Sequence, residues 1–129
     1  MLTMGADTAS EVTEYQLFVD GDRLQSTGDG RIDVDYPYDG EVWATVPDGT
    51  NDDVDAAVGA ARRTFEDEWS TWRASQRREV LSQIADVIEA HADELAELET
   101  RQSGKLLREF RAQMGFLSEY YRYFGRLAE

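Results

Sequence analysis

The sequence predicts an α/β fold in which short N-terminal hairpin strands precede four helices. Residues 15–47 carry brief apolar alternations broken by Asp-Gly and Pro-Tyr-Asp-Gly turns, a pattern typical of hairpin strands. From residue 50 onward, apolar residues recur every three or four positions, which is the period of a helix. No run approaches the ~18 apolar residues of a membrane-spanning helix.

The predicted strands follow a polar, acidic leader at residues 1–14 that we expect to be disordered. Leu17 and Val19 alternate before Asp20-Gly21, a strong two-residue hairpin signal, and the chain returns through residues 23–25. These strands are short and carry few apolar residues, so they cannot form an independent core and need other elements to cover them. Two further strands are predicted at 32–34 and 41–46, on either side of a turn at 37–40.

Four helices are predicted at about 50–65, 75–90, 93–103 and 105–128. Thr50 is a good N-cap, and Asp53 lies three residues on, which is the spacing of a capping box. Asp93 is predicted to cap the third helix. Gly104 is predicted to follow its end, because glycine readily adopts the left-handed conformation found there. The first two helices are separated by a linker, residues 66–73, that holds two tryptophans. The apolar stripe of the first helix is Val54, Ala57, Val58, Ala61 and Phe65.

The last predicted helix has the most regular apolar pattern. Its apolar residues alternate in steps of three and four, the pattern of a heptad seam: Leu107, Phe110, Met114, Leu117, Tyr121, Phe124 and Ala128. One interpretation is a stand-alone acidic helical interaction protein that dimerises through residues 107–128. The other is a long amphipathic helix packed within a single body. Gly115 and Gly125 favour the second, because glycine weakens an isolated helix and suits close packing.

The chain is strongly acidic, with 27 acidic residues, 13 basic residues and a formal net charge of −14. Such a field repels nucleic acids and anionic membranes, so neither is expected as a partner. A nucleic-acid mimic that binds a basic protein is a further alternative. The acid-rich, lysine-poor composition is similar to that of proteins from a high-salt cytoplasm, where cations screen the self-repulsion. Residues 1–14 lack the basic and apolar regions of a signal peptide, so a cytoplasmic location is expected.

The residues themselves form no recognisable catalytic or metal-binding motif. The chain has no cysteine, which excludes a thiolate nucleophile, a disulfide and a thiolate metal site within it. His91 is the single histidine, so a surface or capping role is expected. The acidic pairs fall at helix starts and linkers without EF-hand spacing, and are interpreted as solvated or capping charges. The P-loop and G-x-G-x-x-G patterns are missing, so no nucleotide site is predicted.

Four stretches, in order, resemble the start of the aldehyde dehydrogenase superfamily. LFVDGDRL (17–24) is similar to its first hairpin. Residues 36–65, which begin YPYDGEVW, resemble its order of turn, strand, turn and helix, where the family carries an Asn-Pro-x-x-Gly-Glu-Val run. Residues 78–109 resemble its helix pair ending in a Gly-Lys turn, and EYYRYFGRLAE (119–129) resembles the aromatic helix before its catalytic half. By this resemblance, residues 15–129 are identified as an incomplete, N-terminal piece of the family's cofactor-binding domain.

The resemblance implies a parent enzyme that oxidises a small aldehyde to a carboxylate with NAD or NADP. In the family, a cysteine thiolate forms a thiohemiacetal, hydride passes to the nicotinamide, and a glutamate-activated water releases the acid. An asparagine and a backbone amide stabilise the oxyanion. All these groups lie downstream of the matched segment. The chain alone is therefore expected to be inactive, to bind no cofactor, and to have the remainder of a homo-oligomeric enzyme as its partner.

The resemblance also implies one candidate site, because one face of the last helix lines the substrate entrance in this family. Phe116, Tyr120 and Tyr123 flank the heptad seam, where such a lining would stand. The alternative is that these three side chains pack against a neighbouring helix or strand.

Two further family features concern a cation and the quaternary structure. Some members bind a structural monovalent cation near the Gly-Lys turn. Here Gln102 stands where an aspartate is usual, and Tyr36 replaces the usual asparagine. An amide oxygen is a poorer cation ligand than a carboxylate, so no metal site is assigned. The hairpin region at 17–35 is expected to contribute to oligomer contacts.

Overall fold

The computed structural model describes residues 12–127 and confirms the α/β class, with two small sheets followed by four helices. The strands are β1 (Thr13–Glu14), β2 (Leu17–Val19), β3 (Asp22–Leu24), β4 (Arg31–Asp35) and β5 (Val42–Pro47). The helices are α1 (Asn51–Asp67), α2 (Ala74–Ala90), α3 (Ala92–Ser103) and α4 (Leu107–Leu127).

The predicted first hairpin is confirmed. β2 and β3 pair antiparallel, with Leu17 opposite Leu24 and Val19 opposite Asp22. Asp20 and Gly21 form the turn with φ of 57° and 88°. Two positive φ values match the twist of the flanking strands, which is why an Asp-Gly pair closes this hairpin so well.

The second sheet has the order β1-β5-β4. Its strand β1 lies within residues 1–14, so the prediction of a disordered leader is wrong at the C-terminal end of that segment. Thr13 and Glu14 pair in parallel with Ala44 and Thr45 of β5, so these two residues are a strand. The guanidinium of Arg31 holds the junction together, since its Nη2 donates to the carbonyls of Tyr15 at 2.9 Å and Thr45 at 3.0 Å. Residues 1–11 of the predicted leader lie outside the described residues.

The capping box at the start of α1 is confirmed and extends further than expected. The hydroxyl of Thr50 accepts from the Asp53 amide, and the Asp53 carboxylate accepts from the Thr50 amide at 2.9 Å. The buried carboxylate also accepts from the Ser26 hydroxyl and from the Thr27 amide at 3.0 Å. The Ser26 hydroxyl first, and then the two backbone amides, hold the pKa of Asp53 well below its usual range. Asp53 therefore fixes the loop before β4 onto the start of α1.

The predicted linker at 66–73 is largely structured. α1 continues to Asp67, and a single 3₁₀ turn spans Trp69–Thr71. The rings of Trp69 and Trp72 lie 5.3 Å apart, and Nη1 of Arg77 donates to the Trp72 carbonyl. The paired rings confirm that aromatic side chains fix the connection into α2.

The start of α3 differs from the prediction that Asp93 caps it. Only His91 separates α2 from α3, so this residue ends one helix and is the N-cap of the next. Asp93 consequently lies in the first turn, where its charge still favours the positive end of the helix dipole. The Nδ1 atom of His91 lies 3.0 Å from a carboxylate oxygen of Glu94, and His91 is exposed, as expected for a surface or capping role.

The predicted end of α3 is confirmed at Gly104, which has φ of 72°. A Cβ atom on this residue would stand 2.9 Å from Cβ of Pro37, so the Gly-Lys turn touches the Pro turn before β5. The next residue, Lys105, places its Nζ 5.5 Å from the ring centre of Phe110 on α4.

Helix α4 packs against α2 and α3, and the main core lies at this contact. Ala96, Phe110 and Met114 form the buried cluster. The heptad seam is occupied within the chain at these positions, so it is not a free dimer surface.

The C-terminal half of the seam was predicted wrongly. α4 buries Ser118 and Gly125, whereas Leu117 and Phe124 are 36% and 58% exposed. A straight α-helix drifts by about 20° per heptad relative to a seven-residue repeat, which moves the contact on by one residue. Ala128 lies outside the described residues.

The glycines of α4 behave differently from each other. A Cβ on Gly125 would lie 3.3 Å from Cγ of Arg78 and 3.4 Å from Cβ of Leu81, so this glycine confirms the predicted close packing. Gly115 is exposed, and a Cβ added there would meet nothing within 4 Å in the described part of the chain. Close packing is therefore seen at Gly125 and not at Gly115 within residues 12–127.

A charged cluster joins α4 to α2. Nη2 of Arg122 lies 2.8 Å from Asp86 and 2.7 Å from Glu89, and Nη1 lies 3.1 Å from Glu119. The carboxylates of Glu89 and then Asp86 raise the pKa of Arg122, so its charge is fixed at any pH the protein meets.

Candidate functional site

The three candidate residues lie on the side of α4 that faces away from its core. Phe116, Tyr120 and Tyr123 are spaced i, i+4 and i+7, and successive residues of a helix turn by about 100°, so they share one narrow sector. The buried positions of the same helix lie roughly opposite: Phe110, Met114, Ser118 and Gly125.

The structure brings these three rings together around an open groove. Phe116 is 69% exposed, Tyr120 60% and Tyr123 52%. Together with Glu119 and Arg126 they line a volume of about 400 Å³. No element within residues 12–127 covers them, so the alternative that they pack against a neighbouring helix or strand is not realised in this part of the chain.

The two charged residues of the groove, Glu119 and Arg126, differ in their ion pairing. Glu119 is paired with Arg122 at 3.1 Å. Arg126 has no carboxylate partner among the residues that the structure describes. Sequence reasoning missed Arg126, although its position three residues after Tyr123 places it on the same side of the helix.

A second uncovered apolar surface lies on α1. Val54 and Val58 of the predicted stripe are 55% and 59% exposed, and Phe65 is 51% exposed. A groove of about 460 Å³ runs between this helix and the first hairpin, where Phe18 is 71% exposed. Ala60 is the buried apolar residue of α1, so the helix turns only its small side chains inward.

Trp43 of β5 forms the centre of an aromatic contact between the sheet and α3. The guanidinium carbon of Arg101 lies 4.8 Å from its ring centre, and the ring of Tyr15 packs edge-on at 6.4 Å. Nε1 of Trp43 and Oγ1 of Thr100 are buried without a hydrogen-bond partner in the described part of the chain. Polar atoms of this kind need partners from elsewhere.

The structure provides no metal centre or membrane helix in the part of the chain it describes. Residues 12–127 contain no group of three or more histidine, aspartate or glutamate side chains placed to hold a metal ion. Gln102 lies at the end of α3, two residues before Gly104, and Tyr36 directly precedes Pro37; neither position adds a carboxylate. None of the helices in 12–127 is long and apolar enough to cross a membrane.

The starts of α1, α3 and α4 do not suit the phosphates of a dinucleotide. Helix N-termini bind phosphate when their amides and positive dipole are free. At the start of α1, the amides of Thr50 and Asp53 donate to each other's side chains, and Asp52 adds a negative charge. α3 carries Asp93 and Glu94 in its first turn, and α4 carries Glu109. These negative charges repel a phosphate at the starts of α3 and α4, whereas the first turn of α2 carries no acidic residue.

Comparison with known proteins places this geometry in a family. The aldehyde dehydrogenase family profile matches residues 24–129. The chain is 40% identical over 117 residues to (Z)-2-((N-methylformamido)methylene)-5-hydroxybutyrolactone dehydrogenase of Acinetobacter baylyi, covering 90% of this chain and 24% of that protein. It is 40% identical over 94 residues to phenylacetaldehyde dehydrogenase of Pseudomonas fluorescens, covering 72% of this chain and 19% of that protein.

A solved structure agrees in sequence and in shape. Betaine aldehyde dehydrogenase from Staphylococcus aureus, in complex with NAD⁺, superposes with a TM-score of 0.82 at 38% identity, covering 91% of this chain and 23% of that one. The chain therefore spans about a quarter of the length of the relatives it matches. The match to the family profile extends over most of the sequence, from the first hairpin to the end of α4. This chain belongs to the aldehyde dehydrogenase family.

Proposed function

We propose that this chain is the N-terminal portion of an NAD(P)-dependent aldehyde dehydrogenase that oxidises an aldehyde to the carboxylate. One observation carries the proposal: α1 and α4 leave large apolar side chains uncovered on a chain that spans only 24% of its Acinetobacter relative. Exposed apolar surface of this extent is typical of an interface. The remainder of the enzyme is the partner that would cover it.

Within that enzyme, the groove on α4 would line the substrate entrance. Phe116, Tyr120 and Tyr123 line the groove together and carry no group that reacts with an aldehyde. Their role would be to surround the body of the substrate and exclude water from it.

The chain by itself is proposed to be inactive and to bind no cofactor. It contains no cysteine, so it cannot form the thiohemiacetal that the family's chemistry requires. The acidic first turns of α3 and α4 support a cofactor site in the remainder of the enzyme.

A chimera tests the proposal. Residues 15–129 would replace the matching quarter of the Staphylococcus aureus betaine aldehyde dehydrogenase, and NADH formation would be followed with aldehyde and NAD⁺. We expect turnover by the chimera and none by the 129-residue chain alone. The control is the same relative with its matching quarter deleted, which we expect to be inactive.

A chimera that unfolds at the same temperature as the parent relative, yet forms no NADH, would contradict the proposal. Turnover by the purified 129-residue chain would contradict the proposed inactivity of the chain alone.

We also propose a homo-oligomeric enzyme from a high-salt cytoplasm. The exposed Phe18 supports an oligomer contact at the first hairpin. The net charge of −14 supports the high-salt environment, since cations shorten the range of self-repulsion to about 3 Å at 1 M salt.

Potassium chloride should therefore stabilise the chain. We expect the urea midpoint of its helical circular dichroism to rise between about 0.1 M and 1 M salt, because screening relieves repulsion within the folded state. The same measurement in sucrose is the control, because sucrose is uncharged and stabilises proteins only by being excluded from their surface. The comparison separates charge screening from this exclusion effect. A midpoint that rises in sucrose but not in potassium chloride would contradict the high-salt interpretation.

A further inference from the structure

We propose that α1 pairs with α1 of a second copy of this chain, the two helices running antiparallel about a two-fold axis. The pairing rests on the proposed function, in which the enzyme is a homo-oligomer, and it names one contact of that oligomer. Four apolar residues meet across the axis, here named the outer stripe: Val54, Val58, Ala61 and Phe65. Val54, Val58 and Phe65 are 55%, 59% and 51% exposed.

The outer stripe is distinct from the side of α1 that packs on its own fold. Successive residues of a helix turn by about 100°, so the four members of the stripe fall within about 60° of one another. The buried side chains of α1, Asp53 and Ala60, lie roughly 120° away. The fold of one copy therefore leaves an apolar strip about 16 Å long, or three helical turns, for a partner.

Charged residues beside the outer stripe favour the antiparallel arrangement. The stripe has the four-three-four spacing of a heptad seam, and Asp55 and Arg62 each follow a stripe residue directly, so they occupy equivalent flanking positions. In an antiparallel pair, equivalent flanks face each other, so Asp55 of one copy meets Arg62 of the other. Two-fold symmetry repeats this ion pair. A parallel pair would instead place both residues beside Ala57 and Thr64, which carry no charge.

Both charged side chains are available to a second copy. Asp55 is exposed and has no cationic partner among residues 12–127. Arg62 lies 3.8 Å from Glu66, but their side chains are 69% and 61% exposed, and an ion pair this exposed contributes little. Glu66 lies farther from the stripe than Arg62, at about 120° from Val54 rather than about 80°. Arg62 is therefore the charge nearer to the partner helix.

The pairing should be weak and reversible in the isolated chain. A seam of three turns buries less than the ~1,200 Å² of a standard stable interface. The net charge of −14 on each copy also opposes association. In the whole enzyme, other contacts add to this one: Phe65 of the stripe and Phe18 of the first hairpin line the same groove, so the pairing adjoins the oligomer contact proposed at the hairpin.

Single cysteines test the arrangement, because the chain has none of its own. In the antiparallel pair, Val58 lies within about 5 Å of its own copy along the helix axis, whereas Val54 lies about 15 Å from its copy. With diamide as the oxidant, Val58→Cys should therefore form disulfide dimers about tenfold faster than Val54→Cys on a non-reducing gel. Ala56→Cys, exposed on another side of α1, is the control for random collision.

The three rates of dimer formation decide the outcome. Equal rates for Val54→Cys and Val58→Cys would overturn the antiparallel order. Equal rates for Val58→Cys and the Ala56→Cys control would overturn the contact itself, because they would show association without a preferred surface.

Exchanging charges tests the ion pairs, with the association constant measured by sedimentation velocity. Asp55→Arg should weaken association about tenfold, because each dimer then holds two pairs of like charges. The double variant Asp55→Arg, Arg62→Asp should restore it. The net charge alone predicts the reverse for Asp55→Arg, since this variant is less negative. Asp33→Arg on β4 is the control, because it makes the same charge change away from α1.

Circular dichroism of each variant checks that its helices are retained. Among the folded variants, a loss of association no greater for Asp55→Arg than for Asp33→Arg would overturn the pairing. A double variant that associates as weakly as Asp55→Arg would overturn it too.

The chimera separates the pairing from the proposed function. An active chimera with Val58→Cys should form the disulfide above the level of the chimera without this substitution. An active chimera that forms no such disulfide contradicts the pairing alone, and a thiol that also resists a maleimide would show that the remainder of the enzyme covers the stripe. A folded but inactive chimera contradicts the proposed function, while the disulfides of the 129-residue chain still decide the pairing.

Discussion

Asp53 joins two parts of the chain that are distant in sequence. Its carboxylate accepts hydrogen bonds from Ser26, Thr27 and Thr50, and these bonds favour the ionised form. Its pKa therefore lies below the ordinary value of 3.8 in the folded chain. The carboxylate contributes stability that is fully present above the ordinary pKa, and that is lost as the pH falls through the lower folded pKa.

Asp53→Asn should therefore lower the urea midpoint most at neutral pH. The difference from the natural chain should be constant down to about pH 4 and shrink below that, where the carboxylate starts to take up a proton in the unfolded chain. Asp52→Asn is the matched control, because Asp52 is exposed and lacks such donors among the described residues. A loss of stability equal in both variants, or independent of pH, would contradict this account of Asp53.

Gly104 is required by both its conformation and its surroundings. Its φ of 72° is costly for a residue with a Cβ, and that atom would stand 2.9 Å from Pro37. Gly104→Ala should lower the free energy of unfolding by about 1–3 kcal/mol, measured by urea titration. Gly49→Ala is the control, since nothing in the described part of the chain lies within 4 Å of its Cβ position. If Gly104→Ala were as harmless as the control, the left-handed cap would not matter to stability.

At the scale of elements, α4 connects the core to the candidate site. One side of the helix holds Phe110 and Met114 in the core, and the other presents Tyr120 to solvent. The helix also bears Arg122, which ties it to α2 through Asp86 and Glu89. The orientation of the groove is therefore set by packing on the opposite side of the same helix.

The two glycines of α4 should respond oppositely to substitution. Gly125→Val should lower the free energy of unfolding by about 1–3 kcal/mol, because the added methyl groups meet Arg78 and Leu81 on α2. Gly115→Ala should raise it by about 0.5–1 kcal/mol, because alanine is the better helix former at an open position. Urea titration followed by circular dichroism measures both. The same sign of change in both variants would contradict the packing of α4 on α2.

Local signals were sufficient to predict most elements. The Asp20-Gly21 turn, the Thr50 capping box and the Gly104 cap each depend on a few adjacent residues, and all three are confirmed. β1 was missed because it has only two residues, which pair with Ala44 and Thr45, 31 positions along the chain, and leave no periodic pattern. Asp93 was misassigned because one residue, His91, serves two helices at once.

The candidate site was only partly predictable for a related reason. The spacing of Phe116, Tyr120 and Tyr123 places them on one side of a helix, and in the structure their rings line one groove. Which side faces the core depends on small residues such as Ser118 and Gly125, which a search for large apolar side chains overlooks. Whether Arg126 finds a carboxylate within residues 12–127 depends on distances that no sequence pattern records.

At the scale of the whole molecule, little apolar surface is buried. The described residues bury seven apolar side chains, and four of these are alanine: Trp43, Ala44, Ala60, Ala85, Ala96, Phe110 and Met114. Alanine contributes little hydrophobic free energy because the area it removes from water is small. The large side chains are mostly outside, on α1, α4 and the first hairpin.

The isolated chain should therefore be loosely packed and prone to associate. We expect a broad urea transition, strong binding of the dye ANS, and concentration-dependent elution in size-exclusion chromatography. Val58→Ser and Phe124→Ser on the uncovered faces should reduce dye binding, whereas Thr64→Ser should not. A sharp cooperative transition from a monomer would contradict this prediction. A discrete, stable helical dimer would favour the stand-alone interaction protein instead.

Lys105 is the single lysine of the chain, and it lies at the joint between α3 and α4 with its amine above the ring of Phe110. Apart from the amino terminus, an amine-directed reagent thus has one side chain to modify. A fluorophore attached to Lys105 would lie at a defined position beside the main core. The same acidity that leaves the protein almost without lysine thereby makes it suited to single-site labelling.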